Sequence, residues 1–502
     1  MSGDSHEDLE AVNRRQALER RLLGARVALE RRLWQATERD AAQAGRELEE
    51  VRASAALAWG RRVARLEREL VRGTWAQRRA YLSDFPRRLL RRRLRRPPQP
   101  PLVEPQAAAL ETGAEPVDVE RDWFEPELGR FLQRAAAASS EWMFFIRAGS
   151  AYIQEQRGHR LHRVAKVLRE RGVPVLYSYR PWSPEEPIPR PEDPLLFQCP
   201  AWRTEALEAG ILRHDFGGKK RVYLIGFPVT ACARAAGEAS SLGWIVHYDC
   251  MDEWEEFFKE GAAPWYDEGA ERAGVCFADV VTATAGVLVE KMQSYTAGKS
   301  VHLSPNAFYT QFVQPDMVGR TAPREGPLII GYVGHLGPWW FDWQALAEIA
   351  GRMPDAEFEI IGGGYSSEVE LPSNVRLLGP KNYAEVNQAA RRWRAAMVLR
   401  KISPLTAAMD SLKVYEYLAL GLPVLCFTMP QIESYPYVFS ALDVEGFVTQ
   451  ARRAASVPID RARIDAFLAV NRWEDRVDQF LRLAEQAMEH PCPLRGLQSR
   501  SR

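Results

Sequence analysis

Lys413 and Glu416 lie three residues apart in DSLKVYEYLALGLPVLC, residues 410–426, which reads as a helix start, a short helix and a buried strand within 17 residues. Side chains at that spacing share one face of a helix. A lysine in the first turn stands where unpaired backbone N–H groups and the helix dipole already favour an anion. Ser411, Leu412 and Lys413 can therefore hold a pyrophosphate at the helix tip, with Glu416 one turn up, within reach of an attached ribose. Without a ligand, the same two side chains make a surface ion pair contributing about 0.2–0.5 kcal/mol.

Other residues of the right chemistry fall at the ends of apolar runs. Gly331-Tyr-Val-Gly334-His335-Leu-Gly337 follows a buried strand and precedes a helix, so small residues sit where a backbone must pass close to a ligand, and His335 can donate to a phosphate. Arg400 and Lys401 end another apolar run, and Pro404-Leu-Thr406 follows, a loop whose N–H groups can meet a sugar and its phosphates. In HYDCMDEW, Asp249 and Asp252 close a third run. A carboxylate there can take a proton from an acceptor hydroxyl, Asp252 being the candidate base and Asp249 the structural member of the pair. His159 and His162 are three apart, but no third ligand or H-E-x-x-H context accompanies them, and no metal is expected.

These groups need rigid elements to hold them. Asp410 or Ser411 can cap the helix, Val414, Tyr417 and Leu418 form its buried stripe, and Gly421 with Pro423 stops it before the strand 424–427. Upstream, apolar runs at 142–146, 173–179, 222–227, 244–250, 280–284 and 301–303 alternate with amphipathic helices such as 156–171. A second alternation has strands at 328–333, 357–361, 375–378 and 396–399, with helices at 342–353 and 383–393. Strands alternating with helices predict parallel sheets covered on both faces, an α/β chain with two doubly wound, Rossmann-like domains. The expected divisions are a basic helical or coiled-coil arm (1–96), a Pro-rich linker with a short helix (97–140), a first Rossmann-like domain (141–320), a second (321–470), a terminal helix (471–490) and a disordered tail (491–502).

SLKVYEYLALGLPVL resembles the donor-nucleotide motif of the GT-B glycosyltransferases, family four and its teichuronic-acid-type relatives above all. The resemblance covers about residues 141–485. It implies that Glu416 binds the nucleotide ribose, that Lys413 and the helix tip hold the diphosphate, and that the Gly334 loop faces diphosphate or sugar. It also makes EQRGHR an acceptor-side turn carrying Arg157 and His159, with Gly158 where the family has proline. The terminal helix is expected to cross back onto the first domain. Many relatives carry a further Glu eight positions before the one matching Glu416, and here that residue is Ala408. The implied function is metal-independent transfer of a sugar from a UDP- or GDP-sugar to a glycan or lipid-linked acceptor, in synthesis of a bacterial-type surface polysaccharide. Two rival readings are a nucleotide-sugar epimerase and a catalytically inactive scaffold that recruits partner glycosyltransferases through its helical arm.

The chain has 502 residues, 46% hydrophobic and 26% charged, with a net charge of +1 that is unevenly spread. Residues 1–100 hold 24 Arg and no Lys against 14 acidic residues, so a basic arm is joined to a mildly acidic body. Within it Phe85 to Arg96, FPRRLLRRRLRR, sets Phe85, Leu89, Leu90 and Leu94 beside seven arginines. That pattern suits an anionic membrane surface, against the plainer readings of a solvated helix face or a nucleic-acid contact. Nucleic acid is not expected as a partner, since the rest of the chain lacks a basic-aromatic platform. Self-association through the N-terminal helices is expected. With no long apolar run and a charged N-terminus, the expected place is the cytoplasm, peripheral to the inner face of the cell membrane. Cys199, Cys232, Cys250, Cys276, Cys426 and Cys492 form no C-x-x-C pair and read as free thiols.

Overall fold

The computed structural model describes residues 121–489 apart from 150–151, 153–158, 181–187, 297, 324, 338–340 and 365–368. The basic arm, the Phe85 to Arg96 segment, the linker up to residue 120, Arg157 and the tail all lie outside the described residues, as does half of the insert 181–194. Among the described residues no helix is long and apolar enough to cross a membrane.

Apolar runs with no polar alternation become strands buried on both faces, as a parallel sheet requires. β1 (Trp142–Arg147) and β2 (Val175–Tyr179) are buried along their whole length. With β3 (Leu196–Pro200), β4 (Lys220–Ile225), β5 (Ile245–Cys250), β6 (Val280–Ala283) and β7 (Val301–Leu303) they form one parallel sheet in the order β3-β2-β1-β4-β5-β6-β7. A second parallel sheet contains β8 (Leu328–Val333), β9 (Ala356–Ile361), β10 (Val375–Gly379), β11 (Ala395–Val398), β12 (Val424–Phe427) and β13 (Val438–Ala441), ordered β10-β9-β8-β11-β12-β13. The expected pair of doubly wound α/β sheets is present. In each, the chain order reverses beside the first strand, between β1 and β4 and between β8 and β11, and ligands of such sheets collect outside the strand ends at that point. β3 and β13 were not expected. Both are short edge strands, one ending in proline and one of only four residues, so neither shows a period.

Helices cover the faces, and three of them position the site. α1 (Arg121–Ala137) packs Phe124 and Phe131 on Phe197 of β3. α2 (Arg160–Glu170) follows β1 and is buried at eight positions, Arg160 and Arg163 among them. α3 (Trp473–Glu489) packs on α2 and β5: Phe480 meets His247 of β5 at 4.3 Å between ring centres, and Arg171 bonds Asp478.

Where the sheets join, a polar knot is set into the apolar cluster that runs through both of them. Arg160, 3% exposed, donates to both oxygens of Asp249 at 2.6 and 3.1 Å, to Ser304 Oγ at 2.9 Å and to the Pro305 carbonyl at 3.0 Å. Its guanidinium also faces the rings of Trp473 and Phe480. Asp249 accepts a further bond from Thr282 Oγ1, so its lone pairs are engaged. Arg476 of α3 donates to the same Pro305 carbonyl at 2.7 Å. Next along the chain, the Asn306 backbone N–H donates to Asp410 Oδ2 at 2.5 Å and its side-chain amide to the Asp410 carbonyl at 2.7 Å. One three-residue connection thus binds the first sheet, the last helix and the start of the 410–426 stretch.

Removing one member of a buried ion pair leaves the other charge without compensation, at a cost of about 3–5 kcal/mol. Asp249→Ala is therefore expected to lower unfolding stability by that order, read as a shifted denaturant midpoint with an unchanged slope, whether or not any ligand is present.

Candidate functional site

The stretch 410–426 folds as its pattern predicts. Leu412–Ala419 is an eight-residue helix, α4, with Val414, Tyr415, Tyr417 and Leu418 buried. It ends in a Schellman turn: the Gly421 N–H bonds the Leu418 carbonyl at 2.8 Å, and the Leu422 N–H bonds the Tyr417 carbonyl at 3.0 Å. Gly421 has φ 73°, and a Cβ there would strike the Arg320 carbonyl, so glycine is required twice over.

The expected cap differs. Ser411 is the N-cap residue, and its carbonyl accepts the Val414 N–H at 3.1 Å, but neither it nor Asp410 makes a side-chain cap. Asp410 instead receives Asn306 and the hydroxyls of Tyr415 and Tyr435, at 3.0 and 3.1 Å, and burial lifts its carboxyl to about 6. A helix tip left uncapped by side chains keeps its positive end for an external anion.

Lys413 stands at that tip against the β8 loop. A Cβ on Gly334 would overlap the Lys413 side chain, and it would lie 2.9 Å from the Tyr332 hydroxyl. Tyr417 ties the same loop to α4, its hydroxyl accepting the Val333 N–H at 2.8 Å. Gly331 serves packing and not a ligand, since the space where its Cβ would be holds the Trp393 indole. His335 is exposed, and its Nδ1 accepts the Gly337 N–H at 3.0 Å, so a neutral ring carries its proton on Nε2. Desolvation, with Arg400 and Lys413 nearby, holds its pKa below the ordinary value and keeps the ring neutral.

Arg400 is the inward-facing member of the Arg400–Lys401 pair; Lys401 is exposed and lends only its carbonyl to the Thr406 hydroxyl. Thr406 is 2% exposed and closes a capping box with Ser403, so its hydroxyl shapes the loop and is not offered to a donor sugar. The charge of Arg400 reaches Lys413, His335 and Asp252 alike. Lys413 and Glu416 keep part of their surface open, yet protein atoms crowd both. Burial, then Arg400, brings the Lys413 ammonium down from its usual value, and burial raises the Glu416 carboxyl against the pull of Lys413 and Arg163.

The two acids after β5 have opposite fates. Asp249 is fully buried and locked to Arg160, which removes it from the catalytic candidates. Asp252 lies past the strand end, where burial raises its carboxyl to about 7 against the pull of Arg400 and Arg160. It therefore exchanges a proton near neutral pH, as a general base must. His159 is the N-cap residue of α2 without a side-chain cap, and burial with Arg163 beside it brings its pKa to about 4, so it is neutral. Among the described residues no group of three or more His, Cys, Asp or Glu is placed to hold a metal ion. Arg163 carries no motif signal and was missed; it is an inward arginine on an amphipathic helix, one turn beyond Arg160.

No family model matches the chain. It is similar to a putative teichuronic acid biosynthesis glycosyltransferase of Bacillus subtilis, 26% identical over 223 residues. That match takes in 39% of this chain and 54% of the relative, so the chain spans about half the length of the curated relative. Among solved structures it is similar to sucrose-phosphate synthase from Thermosynechococcus elongatus, with TM-score 0.52, 13% identity, and coverage of 70% of this chain and 100% of the other. An α,α-trehalose 6-phosphate synthase from Burkholderia multivorans gives TM-score 0.50 at 13% identity and the same coverage of both chains. At that identity the likeness is one of fold, and with two parallel sheets that each reverse beside their first strand, this chain has the GT-B fold of the glycosyltransferases it resembles.

Proposed function

We propose that the chain is a glycosyltransferase that moves a sugar from a UDP- or GDP-sugar to a glycan or lipid-linked acceptor, in synthesis of a bacterial-type surface polysaccharide. The observation that carries this reading is the convergence of Lys413, Arg400 and the Gly334 loop on the uncapped tip of α4, with Asp252 of the first sheet in the same electrostatic field. As the bond from the anomeric carbon to the diphosphate breaks, negative charge grows on the leaving oxygen. A helix tip, an ammonium and a guanidinium stabilise it there without reorganising. The neutral His335 offers Nε2–H to a phosphate or sugar oxygen. If the anomeric carbon is inverted, ionised Asp252 takes the acceptor hydroxyl proton; if it is retained, Asp252 orients that hydroxyl. Glu416 accepts from the ribose hydroxyls. A second reading, a nucleotide-binding scaffold without turnover, is favoured by Ala408, which is fully buried in an apolar cluster where many relatives carry an acid.

Three outcomes test the proposal. Glu416→Ala is expected to raise the Kd for UDP or GDP, by calorimetry, roughly ten- to a hundredfold, the ~1.5–3 kcal/mol of hydrogen bonds to a charged group, while the melting temperature without ligand stays near that of the wild type. Unchanged affinity would remove Glu416 from the site. For an inverting enzyme, kcat/KM is expected to climb with pH through about 7, where Asp252 ionises, and to fall at alkaline pH as the weakened Lys413 ammonium loses its proton. Asp252→Asn should abolish the climb; a limb near pH 4 would assign the base elsewhere. Because Arg400, Lys413 and the helix tip supply the positive charge, transfer is expected to survive EDTA, whereas a loss restored by Mg²⁺ would show that a cation shares the task. Turnover of neither UDP- nor GDP-sugars, with nucleotide binding intact, is the result the scaffold reading predicts.

A further inference from the structure

Arg163 is 6% exposed and reaches from α2 of the first sheet to the second. Its Cζ lies 3.5 Å over the centre of the Tyr309 ring, and its Nη2 donates to the Tyr383 hydroxyl at 3.1 Å. Tyr383 opens the helix Tyr383–Ala390 that follows β10. Nη1 is buried and makes no hydrogen bond among the described residues. A buried guanidinium nitrogen left without an acceptor is costly and calls for an explanation. The nearby carboxylate is Glu416, whose ionised form Arg163 favours, yet among the described residues the two make no direct ion pair.

We infer that Arg163 is a ribose-binding residue, its Nη1 donating from the first domain to the hydroxyl oxygens whose protons go to Glu416 of the second. The inference rests on the donor site proposed above. A hydroxyl gives one proton and keeps two lone pairs, so a vicinal diol placed between an acceptor-only carboxylate and a donor-only guanidinium satisfies both. The Tyr309 stack and the Tyr383 bond fix the planar fork in advance, which lowers the entropy lost on binding. A nucleotide without those hydroxyls leaves the guanidinium and the carboxylate both unmet, and sites built on such bonds reject the lacking analogue strongly. The donor site is thus selective for ribonucleotides, and both domains contribute to that selectivity.

Calorimetry with UDP, GDP, their 2′,3′-dideoxy counterparts and inorganic pyrophosphate tests this on the full chain. The wild type is expected to bind its ribonucleotide about tenfold or more tightly than the dideoxy form. Arg163→Met should erase most of that preference, weakening the ribonucleotide about tenfold while the dideoxy form and pyrophosphate change less than about twofold. Arg163→Lys keeps a cation over Tyr309 without the planar fork and should show the same selective loss, which covers the case in which the methionine variant does not fold. Equal weakening of ribo and dideoxy forms, or no weakening in either variant, overturns the inference and leaves the donor site standing. A wild type that binds neither UDP nor GDP overturns both.

Discussion

The structure depends on one buried ion pair. Arg160 and Asp249 are both withdrawn from water, and such a pair is tolerated only if the remaining donors and acceptors are met. They are met by Ser304, the Pro305 carbonyl and Thr282, two of which lie in the connection between the sheets. Arg476 shares the Pro305 carbonyl, and Asp410 takes the N–H of the next residue. These bonds, set within an apolar cluster shared by both sheets, fix where the 410–426 stretch begins relative to the first sheet. Because every partner is used, the knot has no spare group with which to do chemistry.

A second consequence is the division of labour between carboxylates three residues apart. Asp249 is locked in place by a bidentate arginine, and Asp252, past the strand end, is pushed by burial toward holding its proton. Two acids in one segment acquire separate tasks from their surroundings alone. Burial, helped by the charge of Arg400, performs a similar sorting in the second sheet, lowering both His335 and Lys413 so that one stays neutral and the other is a weaker ammonium. Positive charge thus gathers about the tip of α4, where the proposed diphosphate would neutralise it.

Much of this was legible in the residues. Unbroken apolar runs located the interior strands, and Gly421 marked the helix end because only a residue free of Cβ tolerates both its φ and the nearby Arg320 carbonyl. The edge strands β3 and β13 were not legible, being too short to display a period. Around the proposed site, Lys413 and Glu416 were singled out by their spacing and Asp252 by its place after a strand. Asp410 was misread as a cap, since its partners Asn306 and Tyr435 come from distant segments that no local pattern can reveal. The fold of the Thr406 loop was not legible either: the fate of its hydroxyl depends on the carbonyls that the loop turns toward it. Arg163 left no trace because an arginine on the inner face of a helix looks like any other helical arginine until the opposite wall is in place.

The return of α3 onto the first sheet bears on how the protein is made. Phe480 and Arg476 complete a surface whose strands emerge from the ribosome long before them, with the whole second sheet synthesised in between. During translation the first sheet must wait with the Arg160 face and the His247 ring uncovered, an exposed patch of the kind that invites aggregation. Completion of the first sheet's cover is thus deferred until a helix more than one sheet away in the sequence has been made, and chains of intermediate length carry that patch in the meantime.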